Sequence, residues 1–200
     1  NWVHVCQESH RSCVLRRSPF HVPLTVIDCV DEILRIKPEE DPFLALSYVW
    51  GPQAQGLDKE AARISFTVNS CPRTIQDAIK VTKCLGYRYL WVDRYCIDQV
   101  HSAVKMVQLA MMDLIYRSAD LTIIAAAGSD DSHGLPGAGT VPRKQQDHAN
   151  LEPYSFVSTG PGLHFRVQSS KWASRGWTYQ EEQLSTRRLY FTDTEVALVC

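Results

Sequence analysis

Three near-continuous apolar runs of strand length, separated by two stretches with helical periodicity, constrain this chain more than any other feature. Phe43-Leu44-Ala45-Leu46-Ser47-Tyr48-Val49-Trp50 ends at Gly51-Pro52, Tyr89-Leu90-Trp91-Val92 ends in Asp93, and Leu121-Thr122-Ile123-Ile124-Ala125-Ala126-Ala127 ends at Gly128. Runs of that length without polar alternation read as strands covered on both faces, the pattern of parallel sheets. Between the first two, Ile75, Ala78, Ile79, Thr82 and Leu85 fall on one helical face. Thr74 is the expected N-cap there, with Asp77 three residues on and Gly86 as the stop. Between the second and third runs, residues 103–118 read as one helix with Val104, Val107, Met111, Leu114 and Ile115 as its apolar stripe. Strand, helix, strand, helix, strand predicts parallel βαβ units with right-handed crossovers.

The flanks are less regular. Residues 24–36 predict one or two short strands before the polar break Pro38-Glu39-Glu40-Asp41-Pro42. Residues 53–62 read as a loop, and Ile64-Ser65-Phe66-Thr67-Val68 alternates as a half-exposed strand would. Residues 129–139 form a turn-rich loop whose glycines lack the Lys-Ser/Thr of a phosphate loop. Residues 140–170 are expected to stay irregular. The second half of 172–184 is expected to be helical, and 188–191 and 195–199 to be closing strands.

Charge narrows the function. The 200 residues carry 21 Lys+Arg against 22 Asp+Glu, a net charge of −1, which excludes the basic field of a nucleic-acid-binding surface. It also leaves little repulsion between copies, which suits self-association. A chain that is 44% hydrophobic and 22% charged is globular rather than disordered. No apolar run approaches the ~18 residues of a spanning helix, so no membrane segment is expected. No basic region followed by an apolar stretch opens the chain, so no secretory signal is read there. The start at Asn1 and the end within the apolar Val196–Cys200 suggest a C-terminally truncated fragment of a longer protein. Seven irregularly spaced cysteines fit reduced thiols in a cytoplasmic protein better than a disulfide framework. Cys96 is a poor candidate nucleophile, having no evident His partner in sequence.

Four blocks carry a resemblance, in order: Leu44-Ala45-Leu46-Ser47-Tyr48-Val49-Trp50-Gly51; Arg73-Thr74-Ile75-Gln76-Asp77-Ala78-Ile79 leading to Tyr89-Leu90-Trp91-Val92-Asp93-Arg94-Tyr95-Cys96-Ile97-Asp98-Gln99; Met112-Asp113-Leu114-Ile115-Tyr116-Arg117-Ser118-Ala119 running to Gly134-Leu135-Pro136-Gly137; and Ser174-Arg175-Gly176-Trp177-Thr178-Tyr179-Gln180-Glu181 with Leu184-Ser185-Thr186-Arg187. Together they resemble the fungal heterokaryon-incompatibility (HET) domain over about residues 43–200. The resemblance implies a cytoplasmic module that triggers programmed cell death in self/non-self recognition, through an incompatibility partner that the sequence does not name. HET domains are regarded as distantly similar to TIR domains, some of which cleave NAD at the nicotinamide–ribose bond. The expected fold is therefore α/β, flavodoxin- or TIR-like, with a predominantly parallel sheet flanked by helices. Residues 1–42 would form a small N-terminal appendage and residues 43–200 the HET domain. One departure stands out: acids frequent in the family after the Cys-Ile-Asn/Asp-Gln motif are absent from Val100-His101-Ser102-Ala103-Val104-Lys105.

The TIR likeness implies specific residues. Leu46-Ser47-Tyr48 is similar to the Ser-Tyr pair that closes the first TIR strand, and Trp177–Glu181 has the Trp-to-Glu spacing of NAD-cleaving TIR domains. Breaking an N-glycosidic bond develops positive charge on the ribose, which a carboxylate stabilises. At i and i+4, Trp177 and Glu181 share a helical face, whereas Glu182 is turned away by about 100°. Ligands of open α/β sheets bind beyond the carboxyl ends of strands, so Ser47, Tyr48, Trp50, Asp93, Arg94 and Trp177 are candidate substrate-binding residues around Glu181, the candidate catalytic carboxylate, with NAD the candidate substrate. The plain alternatives are that Trp177 is core, that Glu181 caps or pairs with Arg175 or Arg187, and that Asp93 caps the following loop. In the non-catalytic alternative the domain signals by self-association or partner binding.

His4, Cys6, His10 and Cys13 offer four zinc-type ligands within ten residues. Helical spacing also places Cys6, His10 and Cys13 on one face, and packing is the preferred reading because the paired Cys-x2-Cys knuckles of established zinc sites are missing.

Overall fold

The computed structural model describes residues 2–15, 22–52, 66–158 and 160–200. Two short helices, α1 (Trp2–Ser9) and α2 (Arg11–Leu15), precede the hairpin β1 (Thr25–Asp28) and β2 (Ile33–Ile36). Then come β3 (Phe43–Ser47), α3 (Arg73–Cys84), β4 (Tyr89–Trp91), α4 (Asp93–Cys96), α5 (Ser102–Ala110), α6 (Met112–Ser118) and β5 (Leu121–Ala125). A small hairpin, β6 (His148–Leu151) and β7 (Tyr154–Val157), is followed by α7 (Leu163–Gln168), α8 (Thr178–Leu184), β8 (Arg188–Phe191) and β9 (Val196–Val199).

Among the described residues, seven strands form a mixed sheet in the order β2-β1-β4-β3-β5-β8-β9. The central β4, β3, β5 and β8 are mutually parallel, while β1, β2 and β9 are antiparallel additions at the edges. The three apolar runs became β3, β4 and β5, all fully buried. That is why they lack polar alternation: helices cover both faces. The chain moves from β3 outward to β4 and back past β3 to β5. With right-handed crossovers, this reversal places α3 on one face and the α4–α6 connection on the other.

α3 buries Ile75, Ala78, Ile79 and Thr82, with Leu85 packed against the core, as its periodicity requires. Its N-cap differs from expectation. The position belongs to Pro72, without a side-chain cap, because Thr74 and Asp77 are turned to the 129–139 loop instead. Thr74 Oγ1 accepts from Gly134 N–H at 3.1 Å and Asp77 Oδ2 from Leu135 N–H at 3.0 Å. The loop packs so closely that a Cβ on Gly139 would lie 2.0 Å from Asp77 Oδ1.

Three further expectations change. The helix over 103–118 is two helices broken at Met111, and the first buries none of its residues: Ile115 is buried on α6 while Val104, Val107 and Leu114 are exposed. Of the expected 64–68 strand, residues 64 and 65 lie outside the described residues, as does the 53–62 loop; Val68–Ser70 is a 3-10 turn. Residues 140–170 are not wholly irregular, since they hold the β6–β7 hairpin and α7; the hairpin is exposed on both strands, which left no burial pattern to read.

Candidate functional site

At the carboxyl ends of the parallel strands, side chains from four separate segments meet. Ser47 closes β3, and its hydroxyl, almost wholly buried, donates to Glu181 Oε2 of α8. The same Oγ accepts from Trp172 Nε1 at 2.7 Å. Trp172 lies in a 3-10 turn (Trp172–Ser174) ahead of α8 and packs edge-on against Tyr190 of β8. Arg175, just after that turn, donates through Nη1 to the carbonyl of Tyr48. The segment before α8 is thereby fastened across the end of β3.

A second acid lies nearby. The half-buried Asp93, at the first turn of α4, accepts from Trp50 Nε1 at 2.9 and 3.2 Å and from the backbone N–H of its neighbour Arg94 at 2.7 Å. Burial, followed by the charge of Glu181, pushes Asp93 up to about 7, against the opposing hydrogen bonds and Arg175. Burial also raises Glu181, despite its bond from Ser47 and the charge of Arg175. The two carboxyl groups therefore resist ionising together. Tyr116 of α6, buried with its hydroxyl directed to the carbonyl of Leu46 at 3.3 Å, feels both.

Arg94 turns to a third acid. Its Nη1 meets Asp131 Oδ2 at 2.9 Å, with the two side chains 9% and 7% exposed. Gly51 allows the approach, since a Cβ there would sit 2.1 Å from Asp131 Oδ1. The Tyr48 hydroxyl is buried with no hydrogen-bond partner among the described residues, in the field of Asp93, Arg94 and Asp131. An orphaned buried hydroxyl is the kind of group that a water or ligand satisfies. A cavity of about 610 Å3 beside Arg94 is lined by Cys71, Arg73, Gln76 and Asp131. Another, about 550 Å3, lies past the ends of β5 and β8, with Lys144, Arg166 and Lys171 in its wall.

Of the sequence-predicted residues, the structure thus joins Ser47 to Glu181, Trp50 to Asp93, and Tyr48 and Arg94 to the same end of the sheet. Trp177 stands apart: its side chain is 59% exposed while Glu181 is 2% exposed, because Trp177 occupies the N-cap of α8 rather than its first turn. The aromatic group at Glu181's hydrogen-bonded pair is Trp172, which the sequence does not single out, nor does it single out Tyr116 or Asp131; Arg175, expected as a partner of Glu181, acts on it through its charge while donating to the Tyr48 carbonyl. Glu182 faces elsewhere and accepts from Tyr190 at 2.6 Å. Arg187 does not pair with Glu181; it is buried against Cys6 and the carbonyls of Asp120 and Cys13. Cys96 is buried and its thiol pushed up to about 12, which disfavours a nucleophile.

A family model described as heterokaryon incompatibility protein (HET) matches residues 43–181. The chain belongs to the HET family. The matched span runs from the first residue of β3 to Glu181 itself, so the HET region contains Ser47, Tyr48, Trp50, Asp93, Arg94, Tyr116, Asp131, Trp172, Arg175 and Glu181. No curated protein matches the chain, and no solved structure does. Ahead of α5, Asp98 accepts from Val100 and His101 N–H at 2.9 and 3.0 Å and faces His101 Nδ1 at 3.0 Å. The His101 backbone and side chain first, and the Val100 N–H after them, hold the Asp98 carboxyl down at about 2. No described helix is long and apolar enough to cross a membrane.

At the opposite, amino end of the parallel strands lies a candidate metal centre. The ligand atoms of Cys6, His10, Cys13 and Cys200 all fall within 4.8 Å of one another. His4 is not among them; it is exposed and pairs with Glu8 one turn on at 3.2 Å. Cys200 takes the place assigned to His4.

Proposed function

We propose that this HET domain is the effector of an incompatibility death response and that it acts by cleaving NAD at the nicotinamide–ribose bond. The observation carrying this reading is the pair of raised acids, Glu181 and Asp93, at the carboxyl end of a parallel sheet. Carboxyls raised by burial and gathered where α/β sheets bind ligands are a signature of chemistry. Counted from β3, the parallel strands run 2-1-3-4, the order of flavodoxin-like sheets, and Ser47 lies at the switch between β3 and β5. In the reaction the departing nicotinamide takes the bonding pair, Glu181 stabilises the positive ribose carbon, and water adds there with loss of a proton. The orientation of Glu181 is set by Ser47 and Trp172. Lys144 and Lys171 offer positive charge to a pyrophosphate.

The test is nicotinamide release from NAD at high protein concentration. Release by the wild type that is lost in Glu181→Gln supports the reading; no release, or undiminished release by the variant, defeats it.

A second reading is favoured by a different observation. Glu181 and Ser47 are already satisfied and closed from solvent, as structural groups would be. Meanwhile α5 buries no residue and shows Val104, Met106 and Val107 to solvent. On that reading the domain signals by self-association or partner binding through such apolar surface. Cell death that persists in a folded Glu181→Gln variant, and is lost in Val107→Asp, selects it.

A further inference from the structure

Val3, Cys6 and Cys13 are buried on the N-terminal helices. What they meet is the start of β8 and the end of β9. These strands are antiparallel, with Arg188 paired to Val199, so Cys200 emerges beside Arg187. Cys6 and His10 are one turn apart on α1 and its exit, Cys13 follows on α2, and Cys200 arrives from the far end of the chain.

We propose that Cys6, His10, Cys13 and Cys200 bind one structural Zn2+ that clasps the N-terminal helices to the edge of the sheet. Four donors within 4.8 Å suit a tetrahedral site, where bonds of about 2.3 Å put neighbouring ligand atoms about 3.8 Å apart. His10 Nδ1 is 3.2 Å from Cys200 Sγ, a short approach that a shared ion accounts for. The donor set, three thiolates and an imidazole, is one that zinc favours, and four protein ligands leave no open position for catalysis. Charge is balanced as well. Three thiolates and Zn2+ sum to −1, and the buried Arg187 guanidinium donates from Nε to Cys6 Sγ at 3.1 Å, an outer-sphere hydrogen bond to a metal-bound sulfur. The site lies at the opposite end of the strands from Glu181, so its role is to hold the fold.

Metal analysis of the 200-residue chain purified under reducing conditions tests this. One equivalent of zinc per chain is expected, and cobalt substitution of the wild type should give the thiolate charge-transfer absorption of a tetrahedral site. Cys200→Ser and Cys13→Ser should weaken metal retention against a chelator by at least about tenfold, with His4→Ala unchanged. The cobalt spectrum needs no variant, so it remains informative if the serine variants unfold. A metal-free wild type after zinc supplementation, a disulfide within the cluster, or retention that follows His4 rather than Cys200 overturns the proposal.

Discussion

Replacing Asp93 by Asn should stabilise the protein at neutral pH and flatten its stability against pH. Asp93 is raised from 3.8 to about 7, so the folded state holds a proton that the unfolded state has released throughout that interval. Where the folded state binds more protons, stability falls as pH rises. About 3 pH units correspond to a loss of about 4 kcal/mol by pH 7, an upper value because solvent reaches the half-buried carboxyl and screens it. About 2.3 kcal/mol of it falls between pH 5 and 7, because the folded carboxyl is itself half ionised at the upper end. The asparagine of the Asp93→Asn variant would keep an acceptor for Trp50 Nε1 and carry no charge. Urea unfolding at half-unit steps from pH 5 to 8 reads the effect, with wild-type midpoints falling and Asp93→Asn midpoints staying level by comparison. Glu181→Gln should end the fall at a lower pH than in the wild type, because no neighbouring carboxylate would then oppose the charge on Asp93. Parallel pH profiles for wild type and Asp93→Asn would refute the coupled acids.

Two other outcomes follow from single contacts. Ser47→Ala strips both Glu181 and the Trp172 indole of their shared partner; a loss of about 1–3 kcal/mol is expected in thermal or urea unfolding. Asp28 has no exposed side-chain surface; burial opposes its charge, but Arg88, the N–H groups of Asp31 and Val30, and Arg35 together hold it down at about 2. Its lowered carboxyl contributes about 2.4 kcal/mol above pH 3.8, lost as pH falls through 2. Asp28→Asn should remove that acid-side loss in an acid-unfolding titration.

The legible part of this fold was the part whose burial leaves a mark in composition. β3, β4 and β5 stood out because strands covered on both faces admit few polar residues, and α3 because one face alone is buried. The α5 stripe misled because apolar periodicity marks a face without showing that anything in the fold covers it, and Thr74 because a loop more than 50 residues away supplies its donor. At the candidate site, Ser47, Asp93 and Glu181 could be named singly, from strand ends and from a family spacing. Their connection was invisible: Ser47 and Glu181 are 134 positions apart, and Trp172 sits on a single 3-10 turn with no periodicity at all. Cys200 was hidden from the His/Cys cluster for the same reason, since only the pairing of β8 with β9 brings the last residue back to the first helix.

Nicotinamide release compared among wild type, Glu181→Gln and Glu182→Gln, all verified as folded, tests the central claim most directly. The account predicts a fall of at least about 100-fold in Glu181→Gln and near wild-type release in Glu182→Gln, whose carboxyl is bound to Tyr190. Equal release by the two variants, or none from the wild type, would contradict it.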